Sequence, residues 1–162
     1  MKFKSGLISI GIRAFDGCSS LSGIKLPDSV ESIGRYAFEG TPWRENAEGF
    51  VVVGNGILIA AGADIGPEVL IPENVLTVGD AFENRTDITS LVVPSNVLEI
   101  GSGAFMGCLA LEKVTLPTGL TAVENWCFAN CEVLKTINLE NLTEIGSNAF
   151  FRCSYIPAKY QK

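Results

Sequence analysis

Apolar residues recur along the chain in one unit of 22 to 23 residues. The unit reads L-x-x-I-x-L-P-x-x-V-x-x-I-G-x-x-A-F-x-x-C, and its clearest copy is LEKVTLPTGLTAVENWCFANC at residues 111–131. Its phenylalanines are separated by 23, 44, 23, 23 and 22 residues, so one unit in the middle is degenerate. A period of this length predicts a solenoid in which each unit forms one coil. The repeated phenylalanines are Phe15, Phe38, Phe82, Phe105, Phe128 and Phe150.

Each unit contains the pattern of a coil with two sides. The I-x-L pairs, such as Val114 and Leu116, alternate as in a half-buried strand, and the proline that follows ends the strand because it has no N–H to donate. A second apolar pair, such as Val97 and Ile100, begins the returning side. The Ala-Phe pair then fills the interior, and equivalent rings are expected to stack ~4.8 Å apart.

The middle unit, at about 41–72, departs from the pattern. It contains two β-rich runs, FVVV and ILI, on either side of a Gly-Asn-Gly turn at 54–56, which predicts a hairpin. We expect the hairpin to continue the stack while protruding on one side. The whole chain, 1–162, is then a single solenoid domain. Its ends, MKFKSGLISIG and SYIPAKYQK, are expected to give little cap to the terminal coils.

Composition and charge exclude several classes of function. The net charge is −6 and the lysines and arginines are scattered singly, which argues against nucleic acid as a partner. The chain has no histidine, so no Ser-His-Asp or Cys-His mechanism can be built from it. No apolar stretch reaches the roughly 20 residues of a membrane-spanning helix, and no signal-like apolar block follows the first residues. We expect no cofactor, no metal and no membrane insertion.

The phrase LPxSVxSIGxxAFxGC resembles the BspA-like leucine-rich repeat, and the resemblance extends from Ile8 to Cys153. Five units keep Ala-Phe and a sixth has Cys127-Phe128. The resemblance implies a leucine-rich repeat solenoid, mostly β or of the α/β type. It implies a right-handed curved coil of about six to seven repeats, with a parallel sheet on one side. It also implies a cell-surface or secreted protein of a host-associated bacterium or protist, several of which are thought to bind host matrix proteins or other cells. Extracellular or surface localisation would belong to the parent protein, and a cytoplasmic location stays open.

The cysteines follow the repeat. Cys18, Cys108, Cys131 and Cys153 each lie three residues after a repeat phenylalanine, and Cys127 takes the alanine position. They form either a redox or metal ladder or a set of small buried hydrophobic residues, and the periodicity favours the second interpretation. The acidic residues that follow the repeat phenylalanines, such as Glu39 and Glu83, are predicted to be solvated.

The outward positions of the strands are the candidate partner-binding residues. Between the paired apolar residues lie Lys25, Leu70, Val92, Thr115 and Asn138. On the returning side, Leu76 and Leu98 occupy places where other units have polar residues. These apolar residues form either an exposed patch that binds a partner or a surface that the inserted hairpin covers.

Three functions are compatible with these observations. The first is a binding module that holds a host or cell-surface protein on a rigid face, as a monomer or with weak self-association. The second is a spacer or stalk without a ligand of its own. An enzyme is disfavoured, because the non-repeating acidic pair Glu45 and Glu48 is the only starting point for catalysis.

Overall fold

A computed structural model describes residues 3–161, which form a mostly β solenoid of about six coils. Within these residues helix is limited to α1, Pro42–Glu45, and to single 3₁₀ turns at Ala63–Ile65 and Ala158–Tyr160. The strands are β1 Ser9–Ile10, β2 Ser32–Ile33, β3 Phe50–Val53, β4 Ile57–Ala61, β5 Glu68–Leu70, β6 Thr77–Val78, β7 Ser90–Val92, β8 Glu99–Ile100, β9 Lys113–Thr115, β10 Ala122–Val123, β11 Thr136–Ile137 and β12 Glu144–Ile145.

The first sheet is parallel and takes one strand from each of four successive coils, in the order β5-β7-β9-β11. Val69, Leu91 and Val114 occupy equivalent positions in register and point inward, because their side chains are at most 3% exposed. The residues on either side of them point outward, as the alternation of the I-x-L pairs predicts. The prediction of a parallel sheet on one side of the coil is confirmed.

A second set of strands lines the returning side of the coils. Its largest sheet has the order β3-β4-β6-β8, and the pairs β1-β2 and β10-β12 continue the same arrangement toward the two ends. All pairs except β3-β4 are parallel. The four coils that contribute to the first sheet therefore have strands on two sides, whereas the two N-terminal coils pair through β1 and β2 on the returning side.

The repeat phenylalanines stack through the interior in two runs. Phe15 lies on Phe38 with ring centroids 5.3 Å apart and planes within 2°. The second run is Phe82, Phe105, Phe128 and Phe150, with centroids 5.1–5.5 Å apart. Between Phe38 and Phe82 the stack is interrupted, and the ring of Trp43 packs edge-on against Phe38 at 5.0 Å.

The interruption coincides with the inserted hairpin. β3 and β4 are antiparallel around the Gly-Asn-Gly turn, and β4 pairs with β6, so the hairpin continues the second sheet as expected. Gly54 has φ +55°, and a Cβ there would lie 2.5 Å from the Val30 carbonyl oxygen, so the turn requires glycine. Ile57 and Ile59 pack into the N-terminal apolar cluster and Leu58 into the C-terminal one. The domain boundaries at 1–162 stay a prediction.

The C-terminal segment closes the last coil, and the expectation of a poor cap there is wrong. Ile156 is 4% exposed and Tyr160 packs against the same core. The Gln161 amide Nε2 donates to the carbonyl oxygens of Cys153 and Ile156. The apolar residues of SYIPAKYQK and its glutamine thus supply both the apolar cover and the donors that a terminal coil needs. At the other end Phe3 contacts Phe15 edge-on at 5.9 Å.

Removing a ring from the middle of the stack should destabilise the protein more than removing one at its end. Phe105 is 1% exposed and stacks on both sides, whereas Phe15 is half-buried. Phe105→Ala is expected to lower the free energy of unfolding by about 3–5 kcal/mol, because burial of the ring and both stacking contacts are lost. Phe15→Ala should cost about half as much. Urea denaturation followed by circular dichroism measures both, and equal losses would contradict the unequal packing.

Candidate functional site

Four of the predicted partner-binding residues lie in one row across the first sheet. The pairing register places Leu70 beside Val92 and Val92 beside Thr115, and Asn138 follows the paired strand residue Ile137. We call Leu70, Val92, Thr115 and Asn138 the sheet row. Leu70 is 64% exposed and Val92 is 41% exposed, so this part of the face presents apolar groups to solvent.

One of the two polar residues of the sheet row, Asn138, forms hydrogen bonds within the solenoid. The amide of Asn138 donates from Nδ2 to the Leu116 carbonyl at 2.9 Å and accepts from the Leu116 N–H at 2.8 Å. It therefore ties two coils together, whereas Thr115 is exposed. Lys25 is exposed too, but it lies in an early coil outside the four-strand sheet.

The other two candidates lie on the returning side and differ from each other. Leu98 is 76% exposed. Leu76 is half-buried, because the hairpin turn lies against it: its N–H donates to the Gly56 carbonyl at 2.8 Å, and a Cβ on Gly56 would be 2.9 Å from its Cγ. The hairpin thus covers Leu76, while it leaves Leu70, Val92 and Leu98 open to solvent.

Three of the cysteines serve as internal hydrogen-bond donors. The thiols of Cys108, Cys131 and Cys153 are fully buried, and each Sγ lies 3.0–3.2 Å from the carbonyl oxygen of a phenylalanine in the preceding coil. The neighbouring Cys108 and Cys153 thiols, together with burial, raise the pKa of Cys131, and burial raises the pKa of Cys127 well above its ordinary value, so both stay neutral. Among the described residues no group of three or more His, Cys, Asp or Glu could hold a metal ion.

Cys18 departs from the prediction of a buried residue. It is exposed, because none of the described residues forms a coil in front of it whose carbonyl its thiol could reach. Glu45 and Glu48 are exposed as well, and neither forms a salt bridge with the described residues.

A polar cluster that the repeat pattern does not predict lies at the interruption of the phenylalanine stack. We call Arg35, Tyr36, Arg44, Asp80 and Glu83 the junction cluster. The Glu83 carboxylate accepts from Arg35 Nη2 and from the Tyr36 hydroxyl, both at 2.7 Å. Its side chain is only 5% exposed, so the expectation that Glu83 is solvated is wrong. The insertion separates Glu83 from the preceding regular coil, and its carboxylate faces Arg35 of that coil.

Asp80 takes the place of a missing main-chain acceptor. In three regular pairs of coils the residue two before the phenylalanine donates its N–H to a carbonyl of the next coil: Arg13 to Arg35, Gly103 to Asn125 and Trp126 to Ser147, at 3.0–3.2 Å. Tyr36 is the equivalent residue, and its N–H donates to Asp80 Oδ2 at 2.7 Å. The same carboxylate lies 3.0 Å from Arg44 Nη1, and both side chains are nearly buried, with 8% and 14% exposed.

Three residues of the junction cluster, Tyr36, Arg44 and Glu83, line a cavity of about 590 Å³. We call it the junction cavity. The hairpin contributes Ala60 to Ala63 to its lining, and Arg85 closes one side. Arg85 is held by both oxygens of Asp87 and by the carbonyls of Ala61 and Gly62, at 2.7–3.0 Å. The only sequence signal of this cavity was the 44-residue spacing between Phe38 and Phe82.

Neutralising Asp80 should destabilise the protein far more than the same change at Asp87. Asp80→Asn leaves the nearly buried Arg44 with only the exposed Glu39, 3.4 Å away, as a carboxylate partner, and we expect a loss of about 3 kcal/mol in the free energy of unfolding. Asp87→Asn removes a carboxylate that is 49% exposed, and we expect a loss below about 1 kcal/mol. Thermal and urea denaturation of the two variants make the comparison. A loss at Asp80 no greater than that at Asp87 would show that Asp80 does not bridge the coils.

The hydroxyl group of Tyr36 should ionise at a higher pH than that of an ordinary tyrosine. Burial and the hydrogen bond to Glu83 raise the pKa of Tyr36 from 10.0 to about 12. The folded state therefore holds this proton after the unfolded chain has lost it, and its stability should fall as the pH rises from 10 to 12. Ultraviolet titration of phenolate formation should show one late component among the three tyrosines, and Tyr36→Phe should remove it. Persistence of the late component in that variant would contradict the assignment.

Within the part of the chain that the structure describes, no helix is long and apolar enough to cross a membrane. Comparison with curated proteins finds no match. Among solved structures, the leucine-rich repeat protein TpLRR of T. pallidum is 27% identical, with a TM-score of 0.55, over 97% of this chain and 76% of that one. The pneumococcal vaccine antigen PcpA is 20% identical, with a TM-score of 0.63, over 95% of this chain and 42% of that one, and it shows the fold alone.

A leucine-rich cell-surface protein of Faecalibacterium prausnitzii is 26% identical over 96% of this chain and 35% of that one, with a TM-score of 0.42. The family model for the BspA-type leucine-rich repeat region matches six copies, at residues 1–47 and 67–160, and leaves out the segment that contains the hairpin. Repeats of this type generally mediate protein interactions and are typically non-enzymatic scaffolds. With coils, ladders and family model in agreement over most of its length, the chain belongs to the BspA-type leucine-rich repeat family.

Proposed function

We propose that this chain is a protein-binding module that holds its partner on the outward side of the first sheet. The observation that supports the proposal is the pair of exposed apolar residues, Leu70 and Val92, at adjacent register positions on parallel strands. Apolar side chains clustered on a surface are typical of contact sites for other proteins. Thr115 extends the same row with a hydroxyl group that can hydrogen-bond at the edge of the contact.

The mechanism is display on a rigid surface. Strands β5, β7 and β9 are fixed by main-chain hydrogen bonds and by their buried residues Val69, Leu91 and Val114. The sheet row therefore has its binding arrangement before a partner binds. A preformed face loses little conformational entropy on binding, and shallow contacts then suffice. Leu98 and Lys25 lie outside this row and would contribute only to a partner that extends beyond the sheet.

The partner we propose is a host or cell-surface protein, met outside the cell in adhesion. This rests on membership of the BspA-type leucine-rich repeat family, which implies a cell-surface or secreted protein. Neither catalysis nor a cofactor is part of the proposal, since the outward residues of the sheet row carry no titratable group. The alternative, a spacer, would leave Leu70 and Val92 without a role. End-to-end association is disfavoured, because Ile156, Tyr160 and Gln161 close the C-terminal coil.

Placing charges on the sheet row should abolish binding without unfolding the protein. We would measure surface plasmon resonance of the purified chain against a panel of host extracellular-matrix proteins, with light scattering in parallel. For a partner that binds saturably, the double variant Leu70→Lys, Val92→Lys should weaken binding at least about tenfold, because two desolvated apolar contacts are lost.

Leu109→Lys is the matched control, since Leu109 is 48% exposed but lies outside the sheet. It should change binding less than about twofold. Equal weakening by both variants would place the contact elsewhere. A monomeric chain that binds no member of the panel would favour the spacer.

A further inference from the structure

The loops around the repeat phenylalanines are joined by their own hydrogen-bond ladder. In each regular pair of coils, the residue two after the phenylalanine has a positive φ and donates its N–H to the carbonyl of the residue one after the phenylalanine in the next coil. These bonds are Gly17 to Glu39, Asn84 to Met106, Gly107 to Ala129 and Asn130 to Phe151, at 2.7–2.8 Å.

At the insertion this hydrogen bond is absent. Gly40 is the equivalent donor and has the same backbone conformation, with φ +63°. Its N–H donates to no group among residues 3–161. On the far side Glu83 is the equivalent acceptor, and within those same residues its main-chain carbonyl accepts no hydrogen bond. Both residues line the junction cavity.

The hairpin explains why the gap exists. On the returning side the hairpin bridges the two sets of coils: the Asn55 N–H donates to the Val30 carbonyl at 2.8 Å, and β4 pairs with β6. No phenylalanine loop follows β4, so the coils are bridged on this side and separated on the side of the loops. Asp80 fills one of the vacant positions by accepting the Tyr36 N–H, and the position of Gly40 stays vacant.

We propose that the junction cavity binds a short extended peptide, which supplies the missing rung between Gly40 and Glu83. A main-chain carbonyl of the peptide would accept from the Gly40 N–H, and one of its N–H groups would donate to the Glu83 carbonyl. Addition of an extended segment to unpaired main-chain groups is a common mode of peptide recognition. At about 590 Å³ the cavity falls within the ~300–1,000 Å³ range of ligand-binding pockets.

Charge at the mouth of the cavity selects a basic peptide. Of the three arginines in its lining, Arg13 is paired with Asp16, Arg44 with Asp80 and Arg85 with Asp87. Glu39 is 52% exposed and lies 3.4 Å from Arg44, and Glu45 is exposed without a salt bridge to the described residues. These two carboxylates are placed to attract a lysine or arginine side chain of the peptide.

This site goes beyond the proposed function and does not depend on it. The junction cavity lies among the phenylalanine loops and the hairpin, and no residue of the sheet row lines it. A peptide could bind there while a protein partner occupies the sheet, or in the absence of any such partner.

The first test is a titration of the ¹⁵N-labelled full chain with the acetylated and amidated tetrapeptide Val-Lys-Val-Thr, followed by NMR. The amide resonance of Gly40 should shift saturably. Methylating the second or third peptide nitrogen in turn should weaken binding at least about tenfold at one of them, because the donor to Glu83 is lost. Replacing the lysine with glutamate should weaken it too. No saturable shift of Gly40, or equal affinity for all the methylated peptides, would overturn the proposal.

Variants of the protein separate this site from the sheet row. Ala63→Trp fills the cavity from an exposed position and should abolish peptide binding, whereas Ala158→Trp, exposed and outside the cavity lining, should not. Glu39→Gln with Glu45→Gln should weaken the lysine peptide at least about fivefold and leave a norleucine analogue unchanged. Leu70→Lys with Val92→Lys should change peptide affinity less than about twofold. Peptide binding that survives Ala63→Trp, or is lost with the sheet variant, would overturn the assignment to this cavity.

Discussion

The contact between stacked phenylalanine rings, at 5.1–5.5 Å, and the main-chain ladders beside it require each coil to match the next closely. Small residues beside the rings let the coils approach: Ala104 and Ala149 are fully buried, and Cys127 takes the same place in another coil. Each coil leaves hydrogen-bonding groups that only an equivalent coil satisfies. A departure from the repeat therefore disturbs the phenylalanine stack and the main-chain hydrogen-bond ladders together.

The inserted hairpin is such a departure, and the molecule compensates for it unevenly. On the returning side β4 continues the sheet from β6 to the hairpin. In the interior Trp43 packs edge-on against Phe38 where the stack is interrupted. Among the loops, charged side chains replace main-chain groups, and the nearly buried Asp80 and Glu83 are stabilised by Arg44 and Arg35. Buried charges are tolerated only when they are paired in this way. The junction cluster and the junction cavity, which a uniform array of repeats would not have, both lie at the inserted hairpin, where the repeat is interrupted.

The sequence predicts the regular part of the fold well, because there one residue type has one role. The ring positions, the inward Leu91 and Val114, and the hairpin turn can all be placed from spacing alone. The pattern fails where a residue is defined by a contact across the insertion. Glu83 has the sequence position of a solvated residue, but it faces Arg35, which lies 48 residues away.

The candidate sites likewise include residues that the repeat predicts and residues that it does not. Leu70 and Val92 could be placed in one row from the repeat register, because the register of parallel strands follows the period. The cover over Leu76 depends on how the hairpin turn lies, which no spacing specifies. The cap formed by Tyr160 and Gln161 could not be predicted either, since these residues occur once and lie outside the repeat.

The placement of β4 between the two apolar clusters has a consequence for folding. In a linear array each coil is stabilised mainly by its neighbours, so cooperativity passes along the array from one interface to the next. Here the phenylalanine stack and the loop ladder are both interrupted at one interface, and the alternating side chains of β4 join the clusters through Ile57, Leu58 and Ile59. The N-terminal coils and the C-terminal coils therefore form two folding units coupled through the hairpin and the junction cluster. Amide hydrogen exchange would resolve them as separate classes of opening, with the N-terminal unit opening first.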